Sequence, residues 1–212
     1  LVTADCEADG LLDTVTRVHC IVVKEHKTGI VHKFWGDELT TKFPQFASKV
    51  SKWVIHNGLG YDLPLWKKML NVDIPYQNCI DSLILSRMDN FDRRAPIGCE
   101  DTKAKRSPHG LGCWGYRVGL GKPDIDNWDI DMNDPIEREK MFNRCEVDVE
   151  INERVYDILK ESMDAKGFSQ FSINLEHDFR QEMNEMQAHG FYLNVPKAVS
   201  LQTKLNSRTE EI

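Results

Sequence analysis

The order of its apolar segments is the feature that most constrains how this chain can fold. Short runs rich in Val and Ile, the composition typical of strands, come first: 1–8, 17–24 and 30–35. Gly29, in a short turn between the second and third runs, predicts a β-hairpin. Helical and strand-like segments then alternate: 43–52, 53–57, 63–70 and 81–88. Three strands followed by this alternation predict an α/β fold in which helices flank a mixed sheet.

The strongest helical pattern runs from residue 135 to 166. Asn133 or Asp134 can cap its N-terminus, and Gly167 can end it. Three- and four-residue spacing puts Asp148 on one helix face together with Met141, Cys145, Asn152, Val155 and Leu159. A carboxylate on a core-facing surface is costly unless something pairs with it. Two further helices are predicted after this one, over 173–188 and 195–212.

Composition excludes several classes of protein. The chain has 212 residues, of which 41% are hydrophobic, so it can bury a core and is not intrinsically disordered. No apolar run approaches the roughly 18 residues of a membrane helix, and the first residues do not predict a signal peptide. The net charge of −7 argues against a general nucleic-acid coat protein, but not against an enzyme that gathers carboxylates around metal ions. None of the six cysteines has C-x-x-C spacing, so we expect reduced thiols and a cytoplasmic protein.

Four carboxylates stand out. Asp5 and Glu7 flank Cys6 in an apparent strand, so alternation puts both on one face with Cα atoms about 6.5–7 Å apart. Neighbouring carboxylates repel each other, and a divalent cation is the usual reason for such a pair, although the pair alone is a weak signal. Asp62 follows a strand, at the edge where α/β sheets place ligands. If these three and Asp148 converge, they can hold two Mg²⁺ or Mn²⁺ ions and favour phosphoryl chemistry.

The same residues carry a resemblance. Three segments resemble, in order, the motifs of the DEDD 3′–5′ exonucleases: Asp5-Cys6-Glu7, HNGLGYDLP (56–64) and RCEVDVEIN (144–152). Two others resemble family A DNA polymerases, chiefly the replicative polymerases of T-odd bacteriophages: NCIDSLILSR (78–87) and SPHGLGCWGYRVG (107–119). Residues 175–198 resemble the junction where those enzymes enter the polymerase thumb. The resemblance implies an RNase H-like fold, with a 3′–5′ exonuclease domain over 1–168 and a linker with the truncated start of a thumb-like helical region over 169–212.

The resemblance also implies an activity, the removal of nucleotides from the 3′ end of single-stranded or frayed DNA during proofreading. Asp5 would bridge two divalent cations, Mg²⁺ or Mn²⁺, with Glu7 and Asp148 on the water-activating side. Asp62 would act chiefly on the second ion. The partners implied are a DNA 3′ end and a polymerase domain in the same or a separate chain. If a phage encodes the protein, its location is the cytoplasm of the host cell.

One position departs from the family pattern. Tyrosine-type members have a Tyr four residues before the last Asp, and histidine-type members have a His five before it; here these positions hold Arg144 and Asn143. An Arg stays protonated, so it cannot act as a general base. It could hold a phosphate, or pair with Asp148 in competition with metal. Three interpretations stay open: an active exonuclease with an altered residue, a weakened or inactive nuclease, and a non-catalytic module that binds DNA ends or a replication partner.

Substrate contacts are expected in two places. His56 and Asn57 would lie beside the carboxylates, where a contact with substrate and a structural hydrogen bond are equally good interpretations. Residues 89–108 lack periodicity and predict a long surface loop. Between residues 92 and 106, five basic residues outnumber Asp92, Glu100 and Asp101 by two: Arg93, Arg94, Lys103, Lys105 and Arg106. This loop could contact a phosphate backbone, or it could be solvated with no partner. Trp114 is expected in the core rather than as a base-stacking residue.

Overall fold

A computed structural model of the chain describes residues 1–99, 107–123 and 128–210. The chain forms two compact units, Leu1–Gln181 and Glu182–Ile212. The first unit contains the sheet and all four carboxylates singled out from the sequence. The second contains the end of one helix and the whole of the last. The domain boundary expected after residue 168 stays a prediction.

Five strands form one mixed sheet in the first unit. They are β1 (Val2–Ala8), β2 (Val18–Glu25), β3 (Val31–Trp35), β4 (Trp53–Ile55) and β5 (Cys79–Asp81). The strand order is β3-β2-β1-β4-β5. The pairs β1–β2 and β2–β3 are antiparallel, and β1–β4 and β4–β5 are parallel. The predicted hairpin over β2 and β3 and the predicted mixed sheet are therefore observed.

Eight helices are described. They are α1 (Glu38–Thr41), α2 (Phe43–Ala47), α3 (Asp62–Leu70), α4 (Ser82–Asp89), α5 (Leu111–Val118), α6 (Pro135–Ala165), α7 (Gln170–His189) and α8 (Val195–Glu210). A short 3₁₀ turn over Tyr76–Asn78 leads into β5. Within the described residues, no helix is both long enough and apolar enough to cross a membrane.

The bounds of several predicted elements need correction, and the helix predicted over 173–188 begins already at Gln170. The helix predicted over 43–52 ends at Ala47, and the strand predicted over 53–57 ends at Ile55. The helix predicted to begin at Asp81 begins one residue later, because 79–81 form β5, a strand too short to show a period. Helix α5 was not predicted at all. Its glycines at 112 and 115 are unfavourable inside a helix and hide its pattern.

Alternation along the strands decides which side chains face α6. On β2, Ile21 and Val23 belong to a core on one face of the sheet, whereas Cys20 and Val22 belong to a core on the other. The second core includes Met141, Cys145 and Val149 of α6. On β1, Ala4 and Cys6 join the first core, so Asp5 and Glu7 project from the opposite face, toward α6.

Helix α6 begins and ends where the sequence indicates. The Asp134 carboxylate accepts hydrogen bonds from the amides of Ile136, at 2.7 Å, and Glu137, at 3.2 Å, which caps the N-terminus. Past the helix, Gly167 has φ +74°, a left-handed conformation that glycine adopts without strain. All six residues predicted to share the core-facing side are buried. Asp148 is therefore carried against the sheet by a well-defined apolar face.

Candidate metal centre

Three carboxylates meet between β1 and α6. One carboxylate oxygen from each of Asp5, Glu7 and Asp148 can be chosen so that all three lie within 4.8 Å of one another. Glu7 and Asp148 are 7% and 2% exposed, and Asp5 is partly exposed. The two-residue period of β1 and the core-facing side of α6 thus bring together residues 141 to 143 positions apart in sequence. The structure gathers these three of the four predicted acids in one site.

Asp62 lies next to this group rather than within it. It is the first residue of α3, directly after the loop that follows β4, and it is 3% exposed. Its Oδ1 accepts a hydrogen bond from Sγ of Cys6 at 3.1 Å. Because Cys6 points to the face of β1 opposite Asp5 and Glu7, this bond holds the Asp62 carboxylate toward the other side of the strand. Asp62 is still close enough for its charge to act on Asp5.

The electrostatics are those of crowded, buried acids. Burial, followed by the charges of Asp148, Glu7 and Asp62, raises the pKa of Asp5 well above its ordinary value. Burial raises the pKa of Glu7 to about 7, although the charge of Arg144 opposes this rise. Burial also raises the pKa of Asp62 to about 7, against the hydrogen bond from Cys6. Positive charge brought to this place is therefore strongly favoured.

Two basic side chains supply part of that charge. Nε of Arg144 donates to Oε1 of Glu7 at 2.9 Å, and its guanidinium also bonds the carbonyl oxygen of Pro123 and lies over the ring of Trp128 at 5.1 Å. The sequence left two roles open for Arg144, a phosphate contact and an ion pair with Asp148, and the structure shows an ion pair with Glu7 instead of the second. Asp148 pairs instead with Nζ of Lys122. No periodicity or motif pointed to Lys122, which lies in the loop after α5.

Asp148 shows that the residues present fit a divalent cation. Its Oδ2 is bound by Lys122, but its Oδ1 is buried and has no hydrogen-bond partner among the described residues. A buried carboxylate oxygen without a partner is costly unless a ligand satisfies it. The atoms around it are carboxylate oxygens, the hard donors that Mg²⁺ and Mn²⁺ prefer. Asp5, Glu7 and Asp148 would hold such an ion.

The loop that carries Asp62 is fixed by a residue for which the sequence predicted no role. Asp81, at the end of β5, accepts hydrogen bonds from the amides of Asn57 at 2.9 Å and Leu59 at 3.1 Å. The same carboxylate caps α4 by accepting from the amide of Leu83 at 3.0 Å. Burial raises the pKa of Asp81, against the effect of these three bonds. An Asp directly before a helical pattern is a capping signal, so the sequence offered a clue.

His56 and Ser82 link this loop to α6. Oγ of Ser82 donates to Oδ1 of Asn152 at 2.5 Å, so it accepts the bond of 2.8 Å that joins it to Nδ1 of His56. Asn152 lies one helical turn after Asp148. Burial, followed by the charge of Lys122, lowers the pKa of His56 to about 3. The hydrogen bond to Ser82 supports the structural interpretation of His56. The backbone amide of Asn57 donates to Asp81.

The basic loop is only partly described. Arg93 has a side chain 14% exposed, which pairs with Asp89 at 2.5 Å and lies over the ring of Trp114 at 4.6 Å. Arg94 is exposed, and its carbonyl oxygen accepts from Arg117 at 2.6 Å. Lys103, Lys105 and Arg106 lie outside the described residues. Trp114 is 2% exposed and packs in the core, as the sequence predicted. Its contacts with Asp89 and Trp114 therefore hold Arg93 against the body of the fold.

Comparison with known proteins finds relatives by sequence and solved structures of similar fold. No protein-family model matches the chain. The DNA-directed DNA polymerases of Enterobacteria phage T3 and Escherichia phage T7 are each 29% identical to it over 133 residues. The matched part covers 56% of this chain and 19% of each polymerase, so the chain spans about a fifth of these relatives. It is thus related in part to phage DNA polymerases, as its motifs indicated.

Two solved structures have a similar fold, and one of them is a nuclease. The apo form of a nuclease matches with a TM-score of 0.62 and 13% identity, over 91% of this chain and 88% of that one. Brucella melitensis NrnC matches with a TM-score of 0.62 and 14% identity, over 90% and 87%. At these identities the similarity shows the fold alone. The predicted RNase H-like α/β fold of the DEDD exonucleases, with helices after the sheet domain, is confirmed.

Proposed function

We propose that this protein is a metal-dependent 3′–5′ exonuclease that removes nucleotides from the 3′ end of single-stranded or frayed DNA. The observation that carries the proposal is the convergence of Asp5, Glu7 and Asp148 within 4.8 Å on a nuclease fold. The partial similarity to two DNA-directed DNA polymerases supports DNA as the substrate. On this proposal, the chain is the proofreading part of a phage-type polymerase, and it acts in the cytoplasm of the host.

Each acidic residue has a task that follows from its position. Asp5, Glu7 and Asp148 would hold two divalent cations, Mg²⁺ or Mn²⁺, with Asp62 contributing from the adjoining side. Such cations polarise a phosphodiester and help water to attack it, as in other two-metal sites. Asp62 adjoins the site: its Oδ1 accepts a hydrogen bond from Cys6, and its charge acts on Asp5. Asp81 holds the loop before α3 and so keeps Asp62 beside the site.

Arg144 takes part by holding Glu7 and by offering positive charge to a phosphate. Its bonds to Glu7 and Pro123 and its position over Trp128 fix the guanidinium beside the carboxylates. It cannot accept a proton from water, so the chain has no general base at this position. We therefore expect cleavage slower than in tyrosine-type exonucleases, on the order of 10²-fold if a water-positioning group is simply missing.

A second candidate is a catalytically weakened module that binds DNA ends or a replication partner. The two internal ion pairs favour it, because Arg144 and Lys122 already neutralise Glu7 and Asp148. In that case the carboxylates would serve stability rather than catalysis. Arg93, Arg94, Lys103, Lys105 and Arg106 remain the proposed contacts to a DNA backbone in either case, with His56 and Asn57 nearest the terminus.

Degradation of 5′-labelled single-stranded DNA with Mg²⁺ or Mn²⁺ tests the proposal, with the same sequence in RNA as a second substrate. We expect a ladder of products shortened from the 3′ end of DNA, and none with Asp5→Ala. Arg144→Tyr, which restores the family residue, should raise the rate.

The outcomes separate the candidates. If the parent is inert and Arg144→Tyr cleaves, the protein is a weakened nuclease. If both are inert and Mn²⁺ does not bind, the exonuclease proposal is wrong. Faster cleavage of RNA than of DNA would reassign the substrate.

A further inference from the structure

Lys122 is the basic residue of the site that the similarities to known proteins leave without a role. It lies in the loop after α5, its side chain is 28% exposed, and its Nζ pairs with Oδ2 of Asp148, whose side chain is 2% exposed. The side chain is therefore partly open to solvent, while its ammonium contacts the acidic site. Lys122 thus connects the buried carboxylates with the surface from which a substrate would approach.

The influence of Lys122 extends beyond Asp148. Burial raises the pKa values of Asp5 and Glu7, and the charge of Lys122 opposes both rises. The ammonium therefore serves as a counter-ion for the three-carboxylate group as a whole. A divalent cation bound by the same carboxylates would neutralise them in the same way, with a larger charge. Lys122 and the cation then compete electrostatically for the Asp148 carboxylate, because a cation at Oδ1, which has no partner in the described part of the chain, would repel the ammonium at Oδ2.

Lys122 and Arg144 differ in how firmly they are held. Arg144 is fixed by Glu7, Pro123 and the ring of Trp128. Lys122 carries a compact charge on a flexible four-carbon stem, which can move its head several ångströms at little cost. Once Asp148 binds a cation, the ammonium is repelled from the cation and attracted to any anion nearby. The anion that an exonuclease brings there is a phosphodiester.

We propose that Lys122 is an exchangeable counter-ion, which neutralises Asp148 before cations bind and pairs with a phosphate of the substrate afterwards. This inference rests on the proposed exonuclease function and adds a substrate-binding residue to it. Lys122 would thus have two anionic partners in turn, Asp148 before cations bind and a phosphate afterwards. Its removal must therefore have opposite effects on the binding of metal and of DNA, which a merely structural lysine would not produce.

The metal half of the inference is tested with Lys122→Met, using Mn²⁺ alone as the probe. Without Lys122, Asp148 stays buried and uncompensated, so the metal-free protein loses stability while the Mn²⁺-bound protein loses little. By linkage, Mn²⁺ should bind more tightly, by about tenfold, in calorimetry or in Mn²⁺ paramagnetic resonance. The rise in Tm on adding Mn²⁺ should also exceed that of the parent.

Lys24→Met is the matched control. Lys24, on β2, has a side chain 27% exposed. It pairs with Glu153, which lies on α6 like Asp148 but outside the carboxylate site. Its removal should lower the Tm by less than Lys122→Met does, because the Glu153 side chain is 17% exposed, and the loss should be independent of Mn²⁺. If Lys122→Met binds Mn²⁺ no more tightly than Lys24→Met, the competition between Lys122 and metal is refuted.

The phosphate half is tested by fluorescence anisotropy with a single-stranded oligonucleotide whose 3′ linkages are phosphorothioates, in the presence of Mg²⁺. Lys122→Met should weaken binding about five- to tenfold and reduce the slope of log K against log salt by about 0.7, the value for one contact to single-stranded DNA. Lys24→Met should change neither quantity. An unchanged slope in Lys122→Met overturns the phosphate contact.

The two proposals fail in different ways. If the parent binds Mn²⁺ and cleaves DNA, but Lys122→Met behaves as Lys24→Met in both assays, only the role of Lys122 is wrong. If neither the parent nor Lys122→Met binds Mn²⁺, the exonuclease proposal fails and the role of Lys122 fails with it. If only Lys122→Met binds Mn²⁺, competition is established in its strongest form.

Discussion

Replacing Asp81 by Ala should destabilise the fold more than any ordinary loss of a helix cap. The Asp81 carboxylate is 1% exposed and accepts from three backbone amides, those of Asn57, Leu59 and Leu83. The Leu59 amide is buried, and leaving it without this partner costs about 1–3 kcal/mol. Loss of the cap on α4 adds about 1 kcal/mol, and the partly buried Asn57 amide adds about 0.5–1.5 kcal/mol.

The expected total is about 3–5 kcal/mol, a large part of the roughly 5–15 kcal/mol that stabilises a typical domain. Asp81→Asn should cost less, about 1–3 kcal/mol, because its amide oxygen can replace Oδ1 while its NH₂ group faces only the Leu59 amide. The assay is urea denaturation of the whole chain, followed by far-UV circular dichroism and by tryptophan fluorescence. Coincident transitions by the two probes justify a two-state treatment.

Asp134→Ala is the matched control for this series. Asp134 is exposed and caps α6 through the amides of Ile136 and Glu137, so its removal reports the cost of a cap alone, about 1 kcal/mol. If Asp81→Ala costs no more than Asp134→Ala, the loop before α3 is not held by the Asp81 carboxylate. Asp62 would then owe its position to contacts other than those of Asp81.

Three further changes have definite expected outcomes. Burial, reinforced by the charge of Lys122, lowers the pKa of His56 from 6.5 to about 3, so its contribution to stability is complete above pH 6.5. As the pH drops below 6.5, this contribution decreases by up to about 1.4 kcal/mol per pH unit, because only the unfolded chain takes up the proton. His56→Gln should remove this contribution from the pH dependence of the free energy of unfolding. Gly58→Ala should destabilise by about 1–3 kcal/mol in urea, since a Cβ there would lie 2.6 Å from Cβ of Ile55. Millimolar Mn²⁺ should raise the parent's Tm in differential scanning fluorimetry, and a chelator should reverse this, because the ion binds only the folded carboxylate site; Asp148→Asn should abolish the effect.

Each of these outcomes has a control or a contradicting result. An identical pH slope in His56→Gln and the parent would show that His56 titrates alike in the folded and unfolded chains. Gly121→Ala, at a glycine with no atom of the described residues within 4 Å of the added Cβ, should be nearly neutral. An equal cost at both glycines would refute the close approach at Gly58. A Mn²⁺ effect that persists in Asp148→Asn would place the ion elsewhere.

Much of the fold follows from patterns that lie within single segments. The first three strands, the hairpin and the limits of α6 were predicted because alternation, turn residues and caps act over a few residues. The same local rules put Asp5 and Glu7 on one face of β1. Strand β5 was missed because its three residues end on Asp81 and lack the apolar run that marks the equally short β4, and helix α5 was missed because it contains glycines. Such elements are stabilised by their neighbours in space more than by their own sequence.

The sequence by itself determined which acids could form a site, because strand and helix periods decide the direction of each side chain. Only the tertiary structure decided what those acids contact. It pairs Arg144 with Glu7 rather than Asp148, brings Lys122 to Asp148 from a loop without a pattern, and turns Asp62 toward Cys6. The physical reason is that these contacts join residues far apart in sequence, and the packing of α6 and of the loop before α3 on the sheet selects among many partners of suitable charge.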